Sequence, residues 1–431
     1  MLSRDLSARL QARGIHYGWV VAAVTFLTML TMSAALGLPG AMLQPLTKEF
    51  GWTTTDVSSV LAIRFALFGL MGPFSAVLMD RFGLRRVMFC GLALVGGAMA
   101  LVTQASQLWQ LFVLWSLMLG IGTGLTAMVL GAVVSSRWFV ARRGLVMGIL
   151  TASAATGQLA FLPFAAWMIE HWGWRSAVAP LFAGCAIVAV LVVLLVRDRP
   201  SDLGLAPYGE APGTPPAAPA PSPTWRTPFA ALAEASRNRT FWILAGTFFI
   251  CGLSTNGLVQ THFISLCSDN GLSAVPAASV LAMMGAFDLI GTIASGWLSD
   301  RFDCRKLLFW YYGLRGLSLF WLPHSGFSFY GLGLFAVFYG LDWIATVPPT
   351  VKLAGNAFGP QKVGVIFGWV FAAHQLGAAT AAYGAGFSRT ILMSYTPALY
   401  AAGAACLVAA LLALGAKRAV PALAARKAAA A

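Results

Sequence analysis

Five ionisable residues stand inside long apolar stretches of this chain: Arg64, Asp288, Arg315, Asp342 and His374. A charge at the centre of a hydrocarbon layer costs at least about 2.5–3.5 kcal/mol on insertion scales, so each should face a polar cavity or a partner. The carboxyls of Asp288 and Asp342 are candidates for carrying a proton. A guanidinium, at Arg64 or Arg315, suits an anion, because its fork grips a carboxylate through two parallel hydrogen bonds. Around these charges lie uncharged polar residues. Asn256 and Gln260 sit one helical turn apart, and Asp288, Thr292 and Gly296 follow one another at i, i+4 and i+8 with Ser295 nearby, giving a small polar face expected to line a cavity. His374 and Gln375 are adjacent, so their side chains should diverge by about 100° and only one should point squarely inward. Ion pairing between helices competes with these readings. Arg315 can pair with Asp288 or with Asp342, and the sequence leaves both open.

The elements that position these residues follow from composition. Of 431 residues, 59% are hydrophobic and 10% charged, and mean hydropathy is +0.78, so the surrounding solvent must be lipid. Windows of membrane-crossing length recur twelve times, at 17–39, 57–79, 87–104, 108–134, 144–168, 176–196, 241–263, 276–298, 306–322, 328–350, 362–387 and 394–415. Their apolar runs are continuous rather than alternating, which argues for helices over a β-barrel. The expected fold is an all-α membrane protein of twelve transmembrane helices in two six-helix, pseudo-symmetric bundles. Its parts are an N-terminal bundle at 1–196, a Pro-rich linker at 197–240 and a C-terminal bundle with a short tail at 241–431. Pro39, Pro73, Pro163, Pro348 and Pro349 fall within or at the ends of spans and should kink them. The first apolar run should remain as helix one rather than be cleaved as a leader.

A formal net charge of +14 invites a nucleic-acid reading, but its distribution gives topology instead. Twenty-three Lys and Arg residues fall in the terminal segments, the linker and the loops on the same side, whereas the opposite loops carry only Lys48, Arg175 and Arg389. The positive-inside rule then puts both termini and the linker in the cytoplasm. Cys90, Cys185, Cys251, Cys267, Cys304 and Cys406 are scattered at no metal-ligand or disulfide spacing and read as packing residues. No histidine pair, nucleophile elbow or phosphate loop stands in the right context, so neither an enzyme nor a cofactor is expected.

The halves repeat. Asp80-Arg81-Phe82-Gly83-Leu84-Arg85-Arg86 returns 220 residues later as Asp300-Arg301-Phe302-Asp303-Cys304-Arg305-Lys306, and Gly37, Gly144 and Gly148 match Gly257, Gly364 and Gly368 at the same offset. With Ala76, Leu78 and Met79 before the first copy, Gly296 and Leu298 before the second, and Gly173-Trp174-Arg175 after span five, the chain resembles the major facilitator superfamily over nearly its whole length. That resemblance implies a cytoplasmic gate built by Asp80, Arg81, Gly83, Arg85, Asp300, Arg301 and Arg305, whose charges latch helix ends of opposite halves and release them on rocking.

His16-Tyr17-Gly18-Trp19-Val20-Val21, Glu49-Phe50-Gly51-Trp52 and Arg197-Asp198-Arg199-Pro200-Ser201-Asp202-Leu203-Gly204-Leu205 are similar to the monocarboxylate and oxalate/formate branch. The branch's aspartate of span eight is kept as Asp288. Thr292 replaces its arginine, Pro39-Gly40 stands where it carries a lysine in span one, and His374 or Gln375 lies near its lysine of span eleven. A cation for a carboxylate would then have to come from Arg64 or Arg315. The resulting expectation is a monomeric, inner-membrane secondary transporter moving a small organic anion by alternating access with protons. Its cavity should lie between spans 1, 2, 4, 5 and 7, 8, 10, 11, with Arg64, Asn256, Gln260, Thr292, Arg315, His374 and Gln375 binding the cargo and Asp288 and Asp342 carrying the proton. The alternative is a carrier or exporter of a neutral or amphipathic solute whose intramembrane charges are structural.

Overall fold

The computed structural model describes residues 2–126, 128–210, 224–359 and 362–416. The Pro-rich tract 211–223 and the basic tail Lys417, Arg418, Arg426 and Lys427 lie outside the described residues. Twelve long helical segments run up and down in chain order: α1 Gly18–Phe50, α2 Thr54–Phe82, α3 Leu84–Val102, α4 Leu108–Trp138, α5 Arg143–Trp172, α6 Val178–Leu195, α7 Arg239–Asp269, α8 Ala274–Arg301, α9 Cys304–Trp321, α10 Phe329–Phe358, α11 Val363–Leu392 and α12 Thr396–Leu414. Among the described residues ten are long and apolar enough to cross a membrane by length and composition, and α5 and α9 complete the set. Short helices Leu2–Gln11 and Thr227–Ala235 flank the two halves.

Local chemistry marks the ends. At the start of α2, Thr53 and Asp56 cap each other reciprocally, Asp56 N donating to Thr53 Oγ1 at 3.1 Å and Thr53 N to Asp56 Oδ2 at 2.8 Å. Asn238 caps α7 and Ser328 caps α10. Between α2 and α3 the chain turns on Gly83 at φ +90°, where a side chain would also strike the Asp198 carboxylate.

Two elements differ from expectation. α1 continues to Phe50 through Pro39 and Pro45 rather than stopping near residue 39, because lipid offers freed backbone groups no water and favours keeping the helix. α10 is not one rod. It breaks at 343–346 and restarts as Val347–Phe358 with Pro348 and Pro349 in its first turn. The expected kink at those prolines is a full interruption.

One apolar core draws only on residues 17–196, and a second only on residues 235–416. The halves meet along α2 and α11, α1 and α7, and α5 and α8. Thr55 donates to Thr390 Oγ1 at 2.8 Å, Gln44 Nε2 to Ser265 O at 3.5 Å, and Val275 N to Glu170 Oε1 at 3.1 Å. On the side of the Thr227–Ala235 helix, Phe74 meets Trp369 edge-on at 6.1 Å, and Gly368 would place a Cβ 3.5 Å from Pro73.

Candidate functional site

Between the halves lies a cavity of about 200 Å³, lined by α1, α2, α4 and α5 on one side and α7, α8, α10 and α11 on the other, the eight helices expected. It is smaller than the roughly 300–1,000 Å³ of drug-sized ligand sites, so it suits a small solute. Met29, Met32, Phe68, Leu162, Phe248, Leu281, Phe367 and Phe371 make most of the wall apolar. Ser33, Thr123, Thr126, Thr255, Asn256, Gln260, Asp288, His374 and Gln375 interrupt it with polar groups.

Residues 253–260 of α7 wind as π-helical turns, a local widening that recurs at functional sites, and they present Thr255, Asn256 and Gln260 to the cavity. Close approach fixes α7 against its neighbours. Gly252 and Gly257 face the backbone of α11 at His374 and Ala378, and a Cβ at either would collide with it. His374 and Gln375 both line the cavity, contrary to the expectation that only one would. The reason is that His374 packs between Phe248 and Phe371, with ring centroids at 5.1 and 5.7 Å, while Gln375 reaches the wall where α11 crosses Gly69 of α2. Their polar atoms await partners: His374 Nδ1 and Gln375 Oε1 are buried without a hydrogen bond.

Behind the α10 wall sits the charged cluster. Arg315 pairs with Asp342, its Nε donating to Oδ2 at 2.7 Å, and its side chain is 0% exposed. The same guanidinium donates to Asp342 O at 2.5 Å, to Trp343 O at 3.1 Å and to Cys251 Sγ at 2.9 Å. Of the two pairings left open by the sequence, the Asp342 one is present. Asp288 instead accepts from Ile344 N at 2.8 Å and from Thr292 Oγ1 at 3.0 Å. Thr292 and Gly296 therefore do not line the cavity as expected; this face of α8 turns from Asp288 toward the α10 break, where Ser295 donates to Ala345 O at 2.5 Å. Arg315 and Asp342 also lie outside the lining.

Arg64 differs from Arg315. It is 2% exposed and donates to Leu36 O at 3.1 Å, its guanidinium carbon lies 4.4 Å from the Phe65 ring centre, and its Nε has no partner. Among the described residues no carboxylate forms an ion pair with it. Leu36 belongs to the cavity wall, which places this cation one residue layer behind it.

The duplicated motif sits at the face where α6 and α12 end, near Asp198 and Ala416, each of the carboxylates Asp80 and Asp300 paired within its own half. Asp80 pairs with Arg137 of α4, and Asp300 pairs with Lys352 of α10 at 3.0 Å. Gly83 and Arg85 contact Asp198, which accepts from Arg85 N at 2.8 Å, and Arg81 faces the Trp225 ring at 5.9 Å. Arg301 stacks on Trp297 at 3.9 Å, and Arg305 binds Asp303 at 2.8 Å. Sequence reasoning missed Cys251 as a partner of Arg315, Ser295 as a partner of Ala345 O at the α10 break, and Asp198 as a partner of the motif's backbone at Arg85. The Pro348-Pro349 pair was the available signal for the break they surround.

Two six-helix bundles enclosing one small central cavity define a multi-pass carrier of small molecules. The family model described as Major Facilitator Superfamily matches residues 21–382, and the chain belongs to that family. It is similar to the uncharacterized MFS-type transporter YcxA of Bacillus subtilis (strain 168), 26% identical over 376 residues, covering 85% of this chain and 87% of the relative. It is also similar to monocarboxylate transporter 13 of Bos taurus, 26% identical over 392 residues with 90% and 86% covered, and to monocarboxylate transporter 11 of Homo sapiens, 27% identical over 417 residues with 94% and 84% covered. The protein is a transporter rather than an enzyme.

Proposed function

We propose that this protein is a secondary carrier that moves a small organic anion of the monocarboxylate kind together with a proton by alternating access. Arg64 carries the reading. A guanidinium in the membrane interior with one backbone partner, an orphaned Nε and, among the described residues, no countercharge is held at a cost unless an anion completes it. Arg315 is already engaged by Asp342 and two carbonyls, so among the described residues inside the spans Arg64 is the cation left for a carboxylate cargo. The orphaned atoms of His374 and Gln375, with Asn256 and Gln260, offer the hydrogen bonds that orient it. Asp288 in the wall carries the proton, and Asp342 balances Arg315 behind it. The names of the relatives support the cargo class.

The bundles 1–196 and 241–431, joined by 197–240, rock as a monomer in the inner membrane. The charge asymmetry of the loops supports cytoplasmic termini. The duplicated motif is the cytoplasmic gate; its pairing within each half is the released arrangement, and the latched one would bring these charges to helix ends across the seam. The test uses proteoliposomes with an imposed pH gradient and a panel of acetate, lactate and pyruvate. Accumulation is expected, lost in Arg64→Gln, and Asp288→Asn should keep counterflow while losing gradient-driven uptake. Full gradient-driven uptake by Asp288→Asn would remove that residue from coupling.

A second reading, transport of a neutral or amphipathic solute, draws on one observation: among the described residues no Lys or Arg lines the cavity. Thermal stabilisation by neutral solutes but not by carboxylates would favour it.

A further inference from the structure

The break in α10 frees backbone groups in the middle of the membrane, where lipid offers them no partner. Side chains of α8 and α9 take them up one by one. Arg315 caps Asp342 O and Trp343 O, Ser295 caps Ala345 O at 2.5 Å, and Asp288 accepts the Ile344 N–H at 2.8 Å. The unwound residues are also cavity wall, since Trp343, Ile344, Thr346 and Val347 line it. Gly291 of α8 lets the two helices meet here, for a Cβ at that position would run into Leu341 O. One peptide, that of Ile344, is thus held by a titratable group on one side and faces the cargo space on the other.

We propose that Asp288 and Ser295 are positioning residues that hold the unwound segment of α10 as a wall of the cavity, and that the Ile344 N–H transmits the protonation state of Asp288 to that wall. The proposal deepens the proton-coupled reading given above and rests on it for its role in the cycle. Groups facing Asp288 are Arg315 from α9, Asp342 from α10 and Cys251 from α7, with His374 of α11 on the same cavity. Arg315 and Asp342 neutralise each other, which leaves Asp288 without an ion pair among the described residues. An ionised carboxylate holds an amide N–H about twice as strongly as a neutral oxygen does. Protonation should therefore loosen the Ile344 peptide roughly fivefold, which corresponds to about 1 kcal/mol at 1.4 kcal/mol per tenfold.

Deuterium uptake by peptides covering 343–346, measured on the full chain in lipid nanodiscs without cargo and corrected for intrinsic exchange, reads this directly. In the unaltered protein uptake should be about fivefold faster at mildly acid than at mildly alkaline pH. Asp288→Asn keeps an acceptor oxygen but no charge, so its uptake should be fast at both. Ser295→Ala should speed uptake at both while keeping the pH dependence, and Ser295→Thr, which retains the hydroxyl, should restore the slow rates. Uptake independent of pH in the unaltered protein, or pH dependence surviving in Asp288→Asn, overturns the proposal. Because no cargo is present, an error in the carboxylate assignment leaves these results unchanged. Gradient-driven uptake persisting in Asp288→Asn beside the expected exchange pattern would instead fault the proton-coupled reading.

Discussion

Replacing Arg315 with methionine removes a guanidinium whose side chain is 0% exposed and strands the carboxylate of Asp342, 6% exposed, beside two uncapped carbonyls. Breaking a buried pair by deleting one partner costs about 3–5 kcal/mol, because a charge is left without compensation. Asp342→Leu should cost a similar amount for the opposite reason: Arg315 keeps its carbonyl and thiol acceptors but loses its nearest anion. The double variant Arg315→Met, Asp342→Leu leaves neither charge. Its remaining defect is the pair of carbonyls, at about 1–3 kcal/mol each, part of which the flexible methionine packing can relieve. The double variant should therefore be less destabilised than the two singles added together, by a coupling of several kcal/mol. Unfolding free energies from titration with SDS in mixed micelles give all three values. If the double variant lost the full sum of the singles, Arg315 and Asp342 would not be acting as a pair. If Arg315→Met were as stable as the unaltered protein, the role assigned to this cluster at the α10 break would fall.

Gly377→Ala forces a Cβ onto Phe249 O where α7 and α11 cross; overpacking of about 1–3 kcal/mol is expected, seen as a lower melting temperature in detergent. Thr53→Ala removes one half of the α2 capping box and should cost about 1 kcal/mol by the same measurement. Asp80→Asn breaks a partly buried ion pair with Arg137, the side chains 30% and 16% exposed, at a cost on the order of 1 kcal/mol, so stability should change little while the rate of counterflow falls if the motif gates the carrier. Gln375→Leu removes an orphaned buried oxygen; the empty protein should be as stable or more so, while stabilisation by an added carboxylate is lost, and retained stabilisation would clear Gln375 of a binding role.

The membrane fold was legible because the bilayer imposes lengths that hydropathy measures directly, and the 220-residue repeat gave the two halves. The same rule found Asp288 and His374, since a polar atom inside an apolar span has few places to go. Asn256, Gln260 and Gln375 followed from their neighbourhood. What stayed hidden depends on helix rotation, which sequence spacing does not fix. Arg315 chose Asp342 over Asp288 because α10 unwinds at 343–346 and brings its own carbonyls to the guanidinium. Cys251 read as a packing residue until α7 turned it toward the same group. The extent of the break was also invisible: Pro348 and Pro349 announce a disturbance, but the apolar residues around them score as an unbroken span.

Two arginines and two aspartates deep in the protein, Arg64, Arg315, Asp288 and Asp342, sum to zero when both carboxyls are ionised and His374 is neutral. Moving one unbalanced charge through a resting potential is worth about 2.3 kcal/mol per 100 mV, a bias that would favour one orientation of the carrier. A proton alone would set the interior at one positive charge, and an anion alone at one negative. On the reading proposed above, loading both returns it to zero, so the filled and the empty carrier would each reorient without feeling the membrane voltage. Arg64 is what makes that symmetry available: among the described residues no carboxylate of either half supplies its countercharge.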